Sequence, residues 1–321
     1  VTDGVILRGS YSETIGRPGW GDIQGGQTLS QLVRIDAGTG SQGDPGLLPL
    51  ESNNYDISFE WYYGEGSYFS AGYFLKDVSN YVGVTQIQGT PFDLPHPGQG
   101  AWYDEANAAT GGINDLDLIR QYIFETYGDT QYVEITGTDS QGRFTGFIDG
   151  ISGQDPAAPF NITVPSNQED AEIDGFEFAW QHFFGDSGFG GLVNYTMVDS
   201  DISYDNLSLN NQFAIEGLSD SANVVAFYDK NGWIARLAWN WRDAFLDARF
   251  DGNGLANPNY VDEYSQFDAI LSYTFNNGIT VFGEAFNLTD EYSRVYQRNE
   301  LQTLFVTQTG RRWGLGARWN F

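Results

Sequence analysis

The sequence of 321 residues contains no cysteine. A disulfide framework, a thiolate zinc site and a cysteine nucleophile are therefore excluded. Histidine is almost as scarce, so an imidazole base could come only from His96 or His182. Basic residues are also few: 15 Lys plus Arg stand against 43 Asp plus Glu, a net charge of −28. Nucleic-acid binding needs clustered cations that release counterions, and no such surface can be built here. A basic anchor on an anionic membrane is excluded for the same reason. No stretch supplies the ~20 consecutive apolar residues of a spanning helix. With a mean hydropathy of −0.37, a helical membrane protein is ruled out. The chain opens at Val1 with no basic and apolar signal segment, so a mature or partial chain is expected.

What is abundant is glycine, 40 residues or about 12% against a usual ~7%. Aromatic residues reach 16%, while charged residues, at 18%, fall below the ~25% of ordinary globular chains. Along the chain the apolar residues recur with period two. Tyr55, Ile57, Phe59, Trp61 and Tyr63 alternate with Asp56, Ser58, Glu60 and Tyr62. Trp233, Ala235, Leu237, Trp239 and Trp241 alternate with Ile234, Arg236, Ala238, Asn240 and Arg242. The same holds for Phe267 to Phe275 and for Trp313 to Phe321.

About ten strands follow from this pattern, near 4–11, 53–63, 67–87, 168–184, 188–199, 219–229, 233–247, 263–275, 279–296 and 303–321. Tight glycine-containing turns are expected at 64–66, 185–188, 229–232 and 276–278. Long polar connections fill 12–50, 90–160, 200–218 and 248–262, with a shorter one near 298–304. Compact soluble domains rarely tolerate connections this long. Stripes of nine or more residues with aromatic ends, and turns alternating with long loops, are features of a barrel in a bilayer. The expected fold is all-β, a transmembrane antiparallel β-barrel. In such a barrel the apolar face meets lipid, and Glu60, Glu177, Arg236, Arg242, Asp268, Glu284 and Arg318 face the lumen.

Several strings, read in order, carry a resemblance. They are Leu48-Pro49-Leu50-Glu51-Ser52-Asn53-Asn54-Tyr55-Asp56, Lys76-Asp77-Val78-Ser79-Asn80-Tyr81 and Ile173-Asp174-Gly175-Phe176-Glu177. Asn194-Tyr195-Thr196, Asn287-Leu288-Thr289-Asp290-Glu291-Tyr292 and Gly310-Arg311-Arg312-Trp313-Gly314-Leu315-Gly316 follow. Together they resemble the C-terminal barrel half of TonB-dependent outer-membrane receptors. Arg8, Ser10-Tyr11-Ser12 and Arg17-Pro18 resemble the entry to that half. Ser221 to Tyr228, with Arg236 to Asp243, resembles a proteobacterial branch linked to oligosaccharide uptake. The plug domain, the energy-coupling box and the first barrel half of that family are missing from this sequence. The resemblance implies part of a 22-stranded transporter in the bacterial outer membrane, surrounded by lipid and lipopolysaccharide. It implies uptake driven by the TonB-ExbB-ExbD complex acting through a plug, with no catalytic residue and no cofactor. An oligosaccharide is the first substrate class; ferric siderophore or cobalamin is the alternative. A small autonomous barrel acting as pore or enzyme, and a soluble all-β binding module, are readings of other classes.

Substrate contacts are expected in the outer loops, at Trp20 and Asp22 and at His96, Trp102, Tyr103, Asp104 and Glu105. Aromatic rings can stack on sugar C–H faces while carboxylates accept hydroxyl hydrogen bonds. The same aromatics could instead pack on one another. Gly185-Asp186-Ser187-Gly188 resembles a serine-protease nucleophile string, but His182 is only five residues away and the surroundings suit a turn. Asp199, Asp201 and Asp205, and the Asp251-Gly252-Asn253-Gly254 string, offer hard oxygen donors. They lack the spacing and terminal Glu of a calcium loop, so no metal is assigned.

Overall fold

The computed structural model describes residues 4–30, 37–96, 98–252 and 254–320. Val1, residues 31–36 of the first long connection, Pro97, Asn253 and Phe321 lie outside them. Alternating sequence builds ten strands: β1 (Val5–Gly16), β2 (Leu50–Gly64), β3 (Ser67–Ser79), β4 (Ala171–Phe183) and β5 (Phe189–Ser200) come first. β6 (Ser221–Lys230), β7 (Trp233–Arg242), β8 (Tyr264–Thr274), β9 (Ile279–Phe286) and β10 (Arg312–Trp319) follow. They form one antiparallel sheet in chain order, with β1 and β10 at its two edges. All ten expected strands are present, although β1 runs on into the segment read as loop from residue 12.

Paired residues in an antiparallel sheet project to the same face, so the register sorts the side chains. One row runs Val5, Trp61, Phe69, Trp180, Val193, Val224, Trp239 and Phe267 across β1 to β8. Leu271, Gly283 and Leu315 continue this apolar face to β10. The row beside it, on the opposite face, runs Ile6, Glu60, Ser70, Ala179, Asn194, Asn223, Asn240 and Gln266. The apolar face has no protein cover at many positions: Leu315 is 92% exposed and Trp313 71%. Each such side chain gains about 1.5–3 kcal/mol when removed from water, so a face of this extent calls for an apolar surrounding.

The tight turns fall where expected. Lys230 pairs with Trp233, leaving Asn231 (φ 55°) and Gly232 (φ 82°) as a two-residue loop with both residues left-handed. That backbone twist matches the twist of the flanking strands, which is why Asn-Gly is favoured there.

Other expected strands are interrupted. The 279–296 segment breaks after Phe286, because Asn287 (φ 55°) and Asp290 (φ 59°) turn the chain. Phe245–Ala248, Asn259–Val261, Tyr292–Gln297 and Thr303–Gln308 then make a separate four-stranded sheet. Its loops are held by Arg298, whose guanidinium donates to the carbonyls of Asn206, Ser208 and Ala256 at 2.5–2.6 Å.

The chain divides into two compact units. The first comprises Val1–Pro18, Leu48–Gly83 and Asn167–Phe321; the second comprises Gly19–Leu47 and Val84–Ser166. In the second unit, the connection read as irregular contains α1 (Ala101–Ala109), α2 (Leu116–Tyr127) and a hairpin of Val133–Thr138 with Phe144–Ile148. Its core is Ala106, Ile119, Ile123, Phe124 and Val133. Asp115 caps α2, accepting from the backbone N–H groups of Asp117 and Leu118 at 3.0 and 3.2 Å.

Candidate functional site

The polar face of the ten-stranded sheet is the first candidate surface. Glu60, Glu177, Arg236, Arg242, Asp268, Glu284 and Arg318 all fall on it by register. Arg8 of β1 forms an ion pair with Glu60. Ser10 donates to Asp56 at 3.0 Å, and the Asn54 amide donates to Thr14 at 3.2 Å. Farther along, Asn223 donates to Asn240 at 2.5 Å, and Gln266 donates to Asp268 at 2.6 Å. Tyr264 donates to Gln266 at 2.5 Å and Asn240 donates to Asp268 at 3.5 Å, so β6, β7 and β8 share one polar network. Such a face presents many hydroxyls, amides and both signs of charge, and it holds water or a polar partner rather than hydrocarbon. Ser12 and Thr14 lie beyond the end expected for β1 at residue 11, while Arg8 and Ser10 lie within the expected strand but were not assigned to the polar face. Their signal is the run of polar residues at every second position.

The expected loop contacts divide into two groups. Trp20 is 80% exposed, and Asp22 and Asp104 are also exposed. The others are engaged within the second unit. His96 is only 1% exposed and its Nδ1 accepts from the Gly98 N–H at 3.0 Å. Trp102 stacks on Tyr127, with ring centroids 4.1 Å apart and planes 10° from parallel. Tyr103 is half-buried against the core, and burial pushes its phenol pKa up. Glu105 accepts from the hydroxyls of Tyr122 and Tyr127 at 3.0 and 2.6 Å. That second bond pushes the Tyr127 phenol up to about 12. His96, Trp102, Tyr103 and Glu105 thus have partners within the unit, and Glu105 is exposed as well.

The remaining motifs resolve as local structure. Ser187 Oγ accepts from the Phe189 N–H at 3.1 Å within a short turn, while His182 Nδ1 lies 3.1 Å from the Tyr63 hydroxyl. Asp201 accepts from the Glu172 N–H at 2.8 Å, and Asp205 accepts from the Leu207 N–H at 2.8 Å. Asp251 accepts from the Leu255 N–H at 3.1 Å. Among the described residues, no group of three or more His, Asp or Glu is placed to hold a metal ion. No described helix is long and apolar enough to cross a membrane, which says nothing of spanning by strands.

The fold has solved counterparts. A point mutant of the ferric enterobactin receptor PfeA from Pseudomonas aeruginosa aligns with 99% of this chain and 38% of its own, at 13% identity and TM-score 0.56. The siderophore receptor PirA from Acinetobacter baumannii aligns with 100% of this chain and 40% of its own, at 15% identity and TM-score 0.55. PirA from P. aeruginosa aligns with 99% and 39%, at 13% identity and TM-score 0.51. The chain thus spans about two-fifths of the length of these receptors. No curated protein sequence matches it. The profile of the family described as "TonB dependent receptor-like, beta-barrel" matches residues 1–288. With its antiparallel meander, one apolar face and one polar face, the chain belongs to the TonB-dependent receptor β-barrel family, an outer-membrane family of receptors and transporters.

Proposed function

We propose that this chain forms wall and outer loops of a transporter that takes up a large polar nutrient across the outer membrane, with an oligosaccharide as the first substrate class. The observation that carries the reading is the separation of an apolar from a polar face across ten strands, which suits lipid and lipopolysaccharide on one side and a water-filled lumen on the other. Further strands and a plug, supplied by the rest of the protein, close the barrel at the edges β1 and β10. Glu60, Glu177, Arg236, Arg242, Asp268, Glu284 and Arg318 then line the lumen, and the TonB-ExbB-ExbD complex drives transport through the plug. No bond is made or broken in this reading.

The substrate class rests on charge. Residues 84–166 carry eleven carboxylates and two arginines, and both arginines are engaged. Arg143 pairs with Asp117 and Asp139, and Arg120 donates to the Gly146 carbonyl at 3.1 Å. A surface of this sign repels an anionic chelate and tolerates a neutral polyol. Ferric siderophore uptake is the second reading, favoured by the kinship of fold with receptors named for siderophores. Trp20, Asp22, His96, Trp102, Tyr103, Asp104 and Glu105 are the loop contacts for either substrate, with Trp20, Asp22, Asp104 and Glu105 exposed.

Uptake of labelled neutral oligosaccharides and of ferric chelates by cells producing the intact protein, with and without TonB, tests this. TonB-dependent sugar uptake is expected. TonB-dependent iron uptake alone would select the second reading, and TonB-independent leakage of both would select a pore.

A further inference from the structure

The second unit contains an open cleft of about 710 Å³ that the expected loop contacts do not line. One wall is Leu94 and Pro95; the other is built from Tyr132 and Ile148, with the exposed Gln131 and Asp149 at its margin. Cavities of about 300–1,000 Å³ with apolar walls and a few convergent polar groups are the usual form of small-ligand sites. We propose that this cleft is an oligosaccharide subsite, with the Tyr132 ring as the stacking platform and Gln131 and Asp149 as hydroxyl partners. The proposal rests on the carbohydrate reading above and deepens it.

The walls are fixed before any ligand arrives. Tyr132 meets Trp102 edge to face at 6.3 Å, and Trp102 is itself stacked on Tyr127. The Asp149 N–H donates to the Tyr132 carbonyl at 2.8 Å, so the two residues are joined through their main chains at the hairpin base. On the other side, Leu94 accepts from Ala158 at 2.7 Å and His96 donates to Pro156 at 2.8 Å. Gly150 lets the two walls approach: a Cβ there would meet the Pro95 Cβ at 2.8 Å.

The chemistry selects the ligand class. Asp149 is the carboxylate that lines the cleft, and among the described lining residues there is no cation. A ring face, an amide and a carboxylate suit the C–H face and hydroxyls of a neutral sugar, whereas an anionic chelate finds no counter-charge.

The test is calorimetric binding to the purified intact protein in detergent, with neutral glucose-, xylose- and galactose-containing tri- and tetrasaccharides as probes. Tyr132→Ala and Asp149→Asn are compared with Phe147→Ala, an exposed hairpin residue outside the cleft lining. Binding by the wild type that weakens about tenfold in Tyr132→Ala and several-fold in the isosteric Asp149→Asn, but not in Phe147→Ala, is the expected result. Sugar binding by the wild type that both cleft variants retain overturns the subsite and leaves the uptake reading standing. A wild type that binds none of these sugars overturns both.

Discussion

Asn287 and Asp268 join the end of β9 to β8: the Asn287 backbone N–H donates to Asp268 Oδ1 at 2.9 Å. The Asn287 side chain then closes the turn that follows, accepting from the Glu291 N–H at 2.7 Å and donating to the Glu291 carbonyl at 2.8 Å. At 1% exposure, this residue fixes where the strand leaves the large sheet.

Replacing Asn287 by Ala removes both side-chain bonds and places a β-carbon at φ 55° without the local polar compensation that Asn has. Leaving the part-buried Glu291 backbone groups unpaired costs about 1 kcal/mol, the lower end for such groups. The expected outcome is a denaturant midpoint lowered accordingly, read by tryptophan fluorescence of the protein in detergent. An unchanged midpoint would contradict the role given to this corner.

Gly232 provides a sharper case. Its φ is 82°, and an added Cβ would lie 2.7 Å from the Thr274 carbonyl oxygen. Gly232→Val should therefore slow or prevent assembly of the β6–β7 hairpin, whereas Asn231→Gly should be tolerated, since glycine also accepts φ 55°. Heat-dependent gel mobility of the folded barrel distinguishes the two variants.

The second unit should respond to alkali through Tyr127. Its phenol is held up to about 12, first by its hydrogen bond to Glu105 and then by desolvation. A raised folded-state pKa means that the stabilisation is complete below the ordinary value near 10 and is lost as pH rises through about 12. Subtracting the alkaline absorbance titration of Tyr127→Phe from that of the wild type should isolate one late phenol. A difference curve centred near 10 would remove Glu105 as its partner.

The two faces of the sheet should differ in their tolerance of charge. Leu315→Arg places a cation on the apolar face, at a cost of about 2–4 kcal/mol near a bilayer midplane. Arg236→Leu, on the polar face, should leave membrane assembly close to wild type. The yield of folded protein in washed outer membranes measures both, and equal losses would contradict the assignment of faces.

The meander was legible because period-two alternation survives in every strand, from Tyr55–Tyr63 to Trp313–Trp319. The hairpin turns were legible for a related reason: positive-φ positions are written as Gly or Asn. The helices of the second unit left a signal that was passed over, Asp115 as cap followed by Leu116, Ile119 and Ile123 at helical spacing. The break at Asn287 could not be read, because it depends on Asp268, which lies 19 residues away in the chain. The surroundings of the candidate contacts were illegible for the same reason. Trp102 and Glu105 have the right chemistry for a sugar, but Tyr127, 22 residues past Glu105, engages both of them.

The central claim is that alternate residues of one strand meet lipid and water. Because this chain lacks cysteine, single cysteines introduced into it meet no background from its own residues, and any cysteine elsewhere in the intact protein is first replaced by Ser. Spin labels at Ile57, Ser58, Leu237, Ala238, Ser272 and Tyr273 in the reconstituted intact protein would report collision with oxygen in lipid and with a nickel chelate in water. The account predicts oxygen access at Ile57, Leu237 and Tyr273, with nickel access or protein contact at Ser58, Ala238 and Ser272. Uniform nickel access at all six, or an inverted alternation, would contradict it.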